Sequence, residues 1–340
     1  MLQFKNGTPF KGSIALFPDV DGIDTLYGIV KGTFTLGAGP TPRVTVADEQ
    51  VPVTMAPKYH GDPATSSLAE STDMSLMKPS TDVLIVGSAY APHGRPTRMM
   101  DVSVTVGPIR RTARIVGNRI WESDGISYRA TVPQPFETMP LMWERAYGGR
   151  DKTEKGPREE PRNPVGTGFR AGNGKEVIEG LALPNIEDPR DPVTSWKHQP
   201  VPMCFAPIAP HWEPRRSYAG TYDEKWQAER APYLPDDFDP RFLQIAPASQ
   251  IAPSPFAGGE AVELVGFQAE GPMRFALPAV QPRIVFRLNG KSEERPAMID
   301  TVILEPSARR LMIVWRAAFA CDKKALKVRE VEATLAGAAA

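Results

Sequence analysis

Met100-Asp101-Val102-Ser103-Val104-Thr105-Val106, then Gly107-Pro108, then Ile109-Arg110-Arg111-Thr112-Ala113-Arg114-Ile115-Val116, decides the fold class. Met100, Val102, Val104 and Val106 share one parity, and Asp101, Ser103 and Thr105 the other. That alternation belongs to a half-buried antiparallel strand. Gly107-Pro108 is a turn signal, and Ile109, Ala113 and Ile115 face inward on the return strand. The reading extends outward. Gly117-Asn118 predicts a second two-residue turn, with Arg119-Ile120-Trp121 continuing the meander. Ile126, Tyr128, Ala130 and Val132 predict a further strand. Leu26 to Leu36 is a strand with Val30, Phe34 and Leu36 on one side. Val83 to Val86 is apolar on both parities, as a central strand covered on both faces would be.

The C-terminal part has the same style. Ile284, Phe286 and Leu288 alternate with Arg283 and Arg287 ahead of the hairpin signal Asn289-Gly290. Met298 to Leu304 and Leu311 to Phe319 flank Pro306-Ser307-Ala308 as another hairpin. Between these parts lies most of the proline. Of 36 prolines in 340 residues, twenty fall between Pro133 and Gly259, where helix interiors are disfavoured. The expected architecture is mainly β: two antiparallel β-sandwich-like units, 1–135 and 261–335, joined by a Pro-rich, loop-rich middle, 136–260, with a few short helices. One such helix is expected at Leu141–Tyr147, stopped by Gly148-Gly149. Another follows Thr221 and Glu224, read as a capping box that places Tyr222 and Trp226 one turn apart.

Composition narrows the function. Lys plus Arg and Asp plus Glu are 40 each, so the net charge is zero, which argues against a nucleic-acid binder relying on overall positive charge. No secretory signal is visible at Met1-Leu2-Gln3-Phe4, and the charge-free stretch Phe242 to Gly259 is broken by three prolines, so membrane insertion is not expected. Two cysteines, Cys204 and Cys321, are too few for a disulfide framework, and a reducing, cytoplasmic setting is expected. The mixed-charge run Glu144 to Arg162 reads as a solvated loop.

Enzyme signatures fail one by one. Neither a G-x-S-x-G elbow nor H-E-x-x-H occurs, and the glycines ending at Gly174-Lys175-Glu176 miss phosphate-loop spacing. The acidic stretch Asp19-Val20-Asp21-Gly22-Ile23-Asp24 lacks the calcium-loop pattern and reads as a turn. His60, His93, His198 and His211 lack zinc-ligand spacing. Cys204 sits among apolar residues and reads as an inert buried thiol. Asp236, Asp237 and Asp239, with His211, are the one constellation that metal-dependent hydrolysis could use. The alternative is a loop in which the carboxylates cap backbone amides. The sequence therefore predicts no catalytic residue, no metal and no cofactor.

Eight short motifs occur in order: Trp143-Glu144-Arg145-Ala146-Tyr147-Gly148-Gly149; Asn163-Pro164-Val165-Gly166-Thr167-Gly168-Phe169; Leu183-Pro184-Asn185-Ile186-Glu187; Gly220-Thr221-Tyr222-Asp223-Glu224-Lys225-Trp226; Leu234-Pro235-Asp236-Asp237-Phe238-Asp239; Phe275-Ala276-Leu277-Pro278; Asp300-Thr301-Val302; and Trp315-Arg316. Together they resemble the domain of unknown function family 2169 (DUF2169), over about residues 20–320. The resemblance implies a role in bacterial type VI secretion. It suggests an effector adaptor or chaperone that binds a secreted toxin effector in the cytoplasm and helps load it onto the spike, formed by a valine-glycine-repeat protein (VgrG) and a PAAR-repeat tip. A structural spike-associated component and a hydrolase toxin using the acidic loop are the competing readings. The family carries no established catalytic residues. An adaptor works through a few aromatic and Arg anchors, and Trp143, Tyr147, Tyr222, Trp226, Phe238 and Phe242 are the candidates. Asn163, Gly166, Gly168, Thr221, Asp223 and Asp237 are expected to shape the loops that carry them.

Overall fold

The computed structural model describes residues 2–153, 156–171, 178–288, 291–321 and 328–335. The hairpin Met99–Val106/Ile109–Val116 forms in the expected register, with Ile109 opposite Val106 and Ile115 opposite Met100. Gly107, at φ 54°, supplies the positive dihedral that the two-residue turn needs. Val102, Val104, Val106, Ala113 and Ile115 are fully buried. This hairpin is the middle of a five-stranded sheet ordered Ile186–Glu187, Ile109–Val116, Met99–Val106, Ala261–Val265, Met273–Ala276.

The meander does not continue at Gly117-Asn118. The Gly117 amide donates to the Arg98 carbonyl, and the chain leaves the sheet to form a separate hairpin, Trp121–Ser123/Tyr128–Ala130. Only one side of that hairpin is covered, by Ile178 and Leu183 under Trp121, Tyr128 and Ala130. Ile126 is accordingly 98% exposed at its tip despite the alternation it completes.

A second sheet is built on two long strands, Asp24–Leu36 and Arg310–Ala320. Its order is Lys11–Pro18, Asp24–Leu36, Arg310–Ala320, Met298–Glu305, Asp82–Ile85, with Val44–Val46 pairing beside Phe34 to Leu36. The hairpin around Pro306-Ser307-Ala308 is present as read. Asp82–Ile85 is fully buried but ends the sheet, running parallel to Met298–Glu305. Its other side is closed by the proline-rich middle, where the Ile85 amide donates to the Phe205 carbonyl and Asp82 bridges Ile251. A run that is apolar on both parities reports cover on both faces, which irregular chain supplies as well as a neighbouring strand does.

The third sheet is ordered Gln3–Asn6, Val328–Leu335, Pro282–Leu288, Lys291–Pro296. Its first strand runs parallel to its last in sequence, Gln3 opposite Glu330. Leu288 pairs with Lys291, so the predicted hairpin is flanked as expected, while Asn289-Gly290 itself lies outside the described residues, as do Gly174-Lys175-Glu176. Phe286 stacks on Phe319 at 5.2 Å and Phe10 on Trp315 at 5.5 Å. One apolar cluster runs through strands of all three sheets and into Cys204, Phe205 and Trp212 of the middle.

The mainly-β class with sparse helix is what forms. The three larger sheets, however, do not follow the segments 1–135 and 261–335, because each of them takes strands from both ends of the chain. Alternation is a local property and identifies strands; partner choice is non-local and leaves no mark on it. The expected helix over Leu141–Tyr147 is a single 3-10 turn, Trp143–Arg145, after which Tyr147–Gly148 is extended and pairs with Thr167–Gly168. Among the described residues, no helix is long and apolar enough to cross a membrane.

Candidate functional site, an interaction surface

The family-type motifs fall into a buried set and a surface set. Trp143 and Tyr147 are each 3% exposed. The Trp143 indole donates to the Pro207 carbonyl at 2.9 Å and meets Trp212 edge-on at 5.9 Å. Burial raises the Tyr147 phenol well above its ordinary pKa. Asn163 is fully buried, and its Nδ2 donates to the carbonyls of Trp143 and Tyr147 at 2.8 and 2.9 Å. Gly166 closes the same knot: a side chain there would meet the Ala146 carbonyl oxygen at 2.7 Å. Gly168, at φ 100°, starts the chain away from it. These residues lock the loops together. Trp143 and Tyr147 act from beneath the surface and offer a partner no face.

The surface set lies on the segment 213–243. Tyr222 is 54% exposed and meets Trp226 edge-on at 4.7 Å. Trp226 is half-buried, its indole donating to the Tyr233 carbonyl at 2.9 Å. Phe238 and Phe242 are half-buried and edge-on at 5.8 Å. Three guanidinium groups lie over rings: Arg215 on Phe242, Arg230 on Tyr233 and Arg241 on Tyr218, the last at 4.3 Å. Such stacking holds both partners in one geometry while leaving ring edges in solvent. Sequence reasoning missed Tyr218, Tyr233 and the three arginines. Their signal was the interleaving of Arg and aromatic residues from Arg215 to Phe242.

The loops beneath this set are wired differently from the expected capping box. Asp223 caps the helix Glu224–Glu229, accepting from the Trp226 amide at 2.8 Å. Thr221 instead gives its amide and hydroxyl to Asp237, at 2.9 and 2.8 Å. The carboxylate adjacent to the helix wins the cap because the threonine hydroxyl is already committed across the loop. Those two Thr221 bonds, amide first, hold the Asp237 carboxyl below its ordinary pKa. Asp239 is likewise lowered, by the Arg241 guanidinium and amide, and caps the turn Pro240–Leu243. Asp236 pairs with Arg230 at 3.2 Å. Each acidic-loop carboxylate thus has its own partner. Among the described residues no three His, Cys, Asp or Glu side chains gather as a metal site. His211 packs edge-on against Trp212 at 6.0 Å, and burial lowers its pKa. Cys204 is fully buried and free, its thiol pushed up to about 11 by burial.

The first three motifs also wall an open cleft of about 540 Å³ that includes Arg119, Arg145 and Asn185. No spacing rule predicted it, because its residues come from four separated loops. No curated protein and no solved structure matches the chain. The family described as "Uncharacterized protein conserved in bacteria (DUF2169)" matches residues 21–316, and the chain belongs to that family.

Proposed function

We propose that this protein is a non-enzymatic adaptor or chaperone that binds a type VI secretion effector in the cytoplasm and promotes its loading onto the VgrG/PAAR spike. The observation that carries the proposal is the aromatic–arginine set on segment 213–243. It has half-buried and exposed rings held by stacked guanidinium groups, the chemistry found at the centres of protein interfaces. Family membership supports it through the role with which such proteins are associated. The dispersal of the acidic-loop carboxylates among separate partners favours it over the hydrolase reading.

The test is co-expression with candidate type VI effector toxins, followed by co-purification and a secretion assay. Tyr222→Ala with Trp226→Ala should weaken toxin capture at least tenfold, as loss of about 2 kcal/mol at a hot spot would, while the melting curve of the core stays in place. Deletion of the gene with unchanged toxin stability and secretion would sink the proposal.

A further inference from the structure

The cleft walled by Arg119, Arg145, Thr167 and Asn185 shares no lining residue with the aromatic segment. Arg145 is half-buried, and its Nη1 donates to Asn185 Oδ1 at 3.0 Å. The Asn185 amide is itself fixed, because its Nδ2 donates to the Val116 carbonyl at 2.9 Å and to Asn118 Oδ1 at 3.0 Å. Its oxygen is therefore held towards the guanidinium, which is oriented before any ligand arrives. Among the described residues no carboxylate pairs with Arg145. The neighbouring Glu144 has both oxygens engaged, by the Ser67 amide at 2.7 Å and hydroxyl at 2.8 Å. Arg119 is paired with Glu187, but its Nε is buried with no partner. An oriented guanidinium bound only to a neutral amide is a carboxylate receptor. The volume is in the range of a ligand site, and Ile120, 43% exposed, puts apolar surface at the same cleft.

We infer that this cleft receives an acidic side chain from an extended segment of the cargo polypeptide, with Arg145 taking the carboxylate and Ile120 covered by a neighbouring apolar residue. The inference rests on the adaptor reading and names its recognition chemistry. The cleft then acts as a selectivity site, choosing the register of the bound chain while the aromatic segment supplies area.

The test uses the full-length protein on an array of end-capped nonapeptides. The central residue is Glu, Asp, Gln or Asn, and the flanks are randomised among apolar and small residues. Binding to the Glu and Asp spots should exceed the Gln and Asn spots by at least about tenfold, as expected for a charge-assisted hydrogen bond. Arg145→Gln should abolish that preference, and Arg145→Lys should keep part of it, with both variants melting as wild type does. Equal binding to acid and amide spots, no binding to any spot, or a preference that survives in Arg145→Gln would overturn the inference. So would displacement by free glutarate at the same concentration as an acidic peptide, because the site would then serve a small carboxylate. The array reads the cleft directly, so failure of toxin co-purification condemns the adaptor reading without deciding the array result.

Discussion

Arg316 has no exposed surface and sits beside the buried Asp300, its Nη2 donating to Asp300 Oδ2 at 3.1 Å and to the Asp73 carbonyl at 2.7 Å. Asp300 falls where the register between Met298–Glu305 and Arg310–Ala320 shifts, and such a bulge redirects a side chain that regular pleating would place elsewhere. Lys78 joins the group, donating to Asp82 Oδ2 at 2.8 Å and to the Thr301 hydroxyl at 2.7 Å. Two of the eight motifs, Asp300-Thr301-Val302 and Trp315-Arg316, thus meet as a charged network inside the long sheet. Burial pushes the Asp300 carboxyl up, but Arg316 and Lys78 outweigh it, and the group is held below its ordinary pKa. Arg316→Met leaves the buried Asp300 carboxylate with Lys78 alone, at 3.7 Å, and should cost about 3–5 kcal/mol in urea unfolding. The pH sign follows from the lowered value. Asp300 stabilises the fold above its unfolded pKa of about 4, and that contribution is lost as pH falls through the folded pKa. Urea midpoints of the wild type should therefore drop as pH falls below about 4, and Arg316→Met should show a smaller drop. At Gly117 the constraint is steric: a Cβ would stand 1.8 Å from the Gln134 carbonyl oxygen. Gly117→Ala should cost at least about 2 kcal/mol, measured the same way, because backbone must move on both sides.

At the scale of the element, the hairpin 99–116 was legible residue by residue because both of its determinants are local: parity and a turn glycine. The segment 126–132 showed the same parity yet left Ile126 in solvent, since alternation cannot say whether anything arrives to cover the face. The helix after Thr221 was found, but its cap was misread. Thr221 and Asp223 both suit an N-cap, and what separates them is Asp237, sixteen residues away, which takes the Thr221 hydroxyl. The aromatic half of the candidate site was legible as composition. Its division was not: Trp143 and Tyr222 look alike in sequence and differ in whether Asn163 and Trp212 close over them. The cap assignment is open to test by hydrogen exchange. Asp223→Ala should destabilise the helix Glu224–Glu229 locally by about 1 kcal/mol and speed exchange of the Trp226 amide. Thr221→Val should leave that amide protected and instead loosen the loop carrying Asp237. The opposite pattern would restore the capping box.

Across the whole molecule, the chain closes on itself. Arg310–Ala320 lies between Met298–Glu305 and Asp24–Leu36, pairing with the latter from Thr25 to Thr35. Val328–Leu335 separates Gln3–Asn6 from Pro282–Leu288. Ala261–Val265 extends the hairpin 99–116 by pairing with Met99–Val106. Each of the three larger sheets is therefore incomplete without residues beyond 260, although 1–135 reads as a self-sufficient β unit. A strand such as Asp24–Leu36, buried along eleven of its thirteen residues, would expose its apolar face and unpaired backbone if its partner were missing. The expectation is that fragment 1–135 alone shows no cooperative thermal transition and aggregates, whereas co-expressed 1–135 and 136–340 associate and recover one transition. Circular dichroism melting with gel filtration reads both outcomes. A fragment 1–135 that melted cooperatively as a monomer would mean that its own strands suffice, and that the cross-pairing is an addition to the fold rather than its foundation. Because the loop-rich middle is threaded between the two groups of strands, the same closure anchors segment 213–243 at both ends. That anchoring lets an irregular chain rich in proline present its rings in one arrangement.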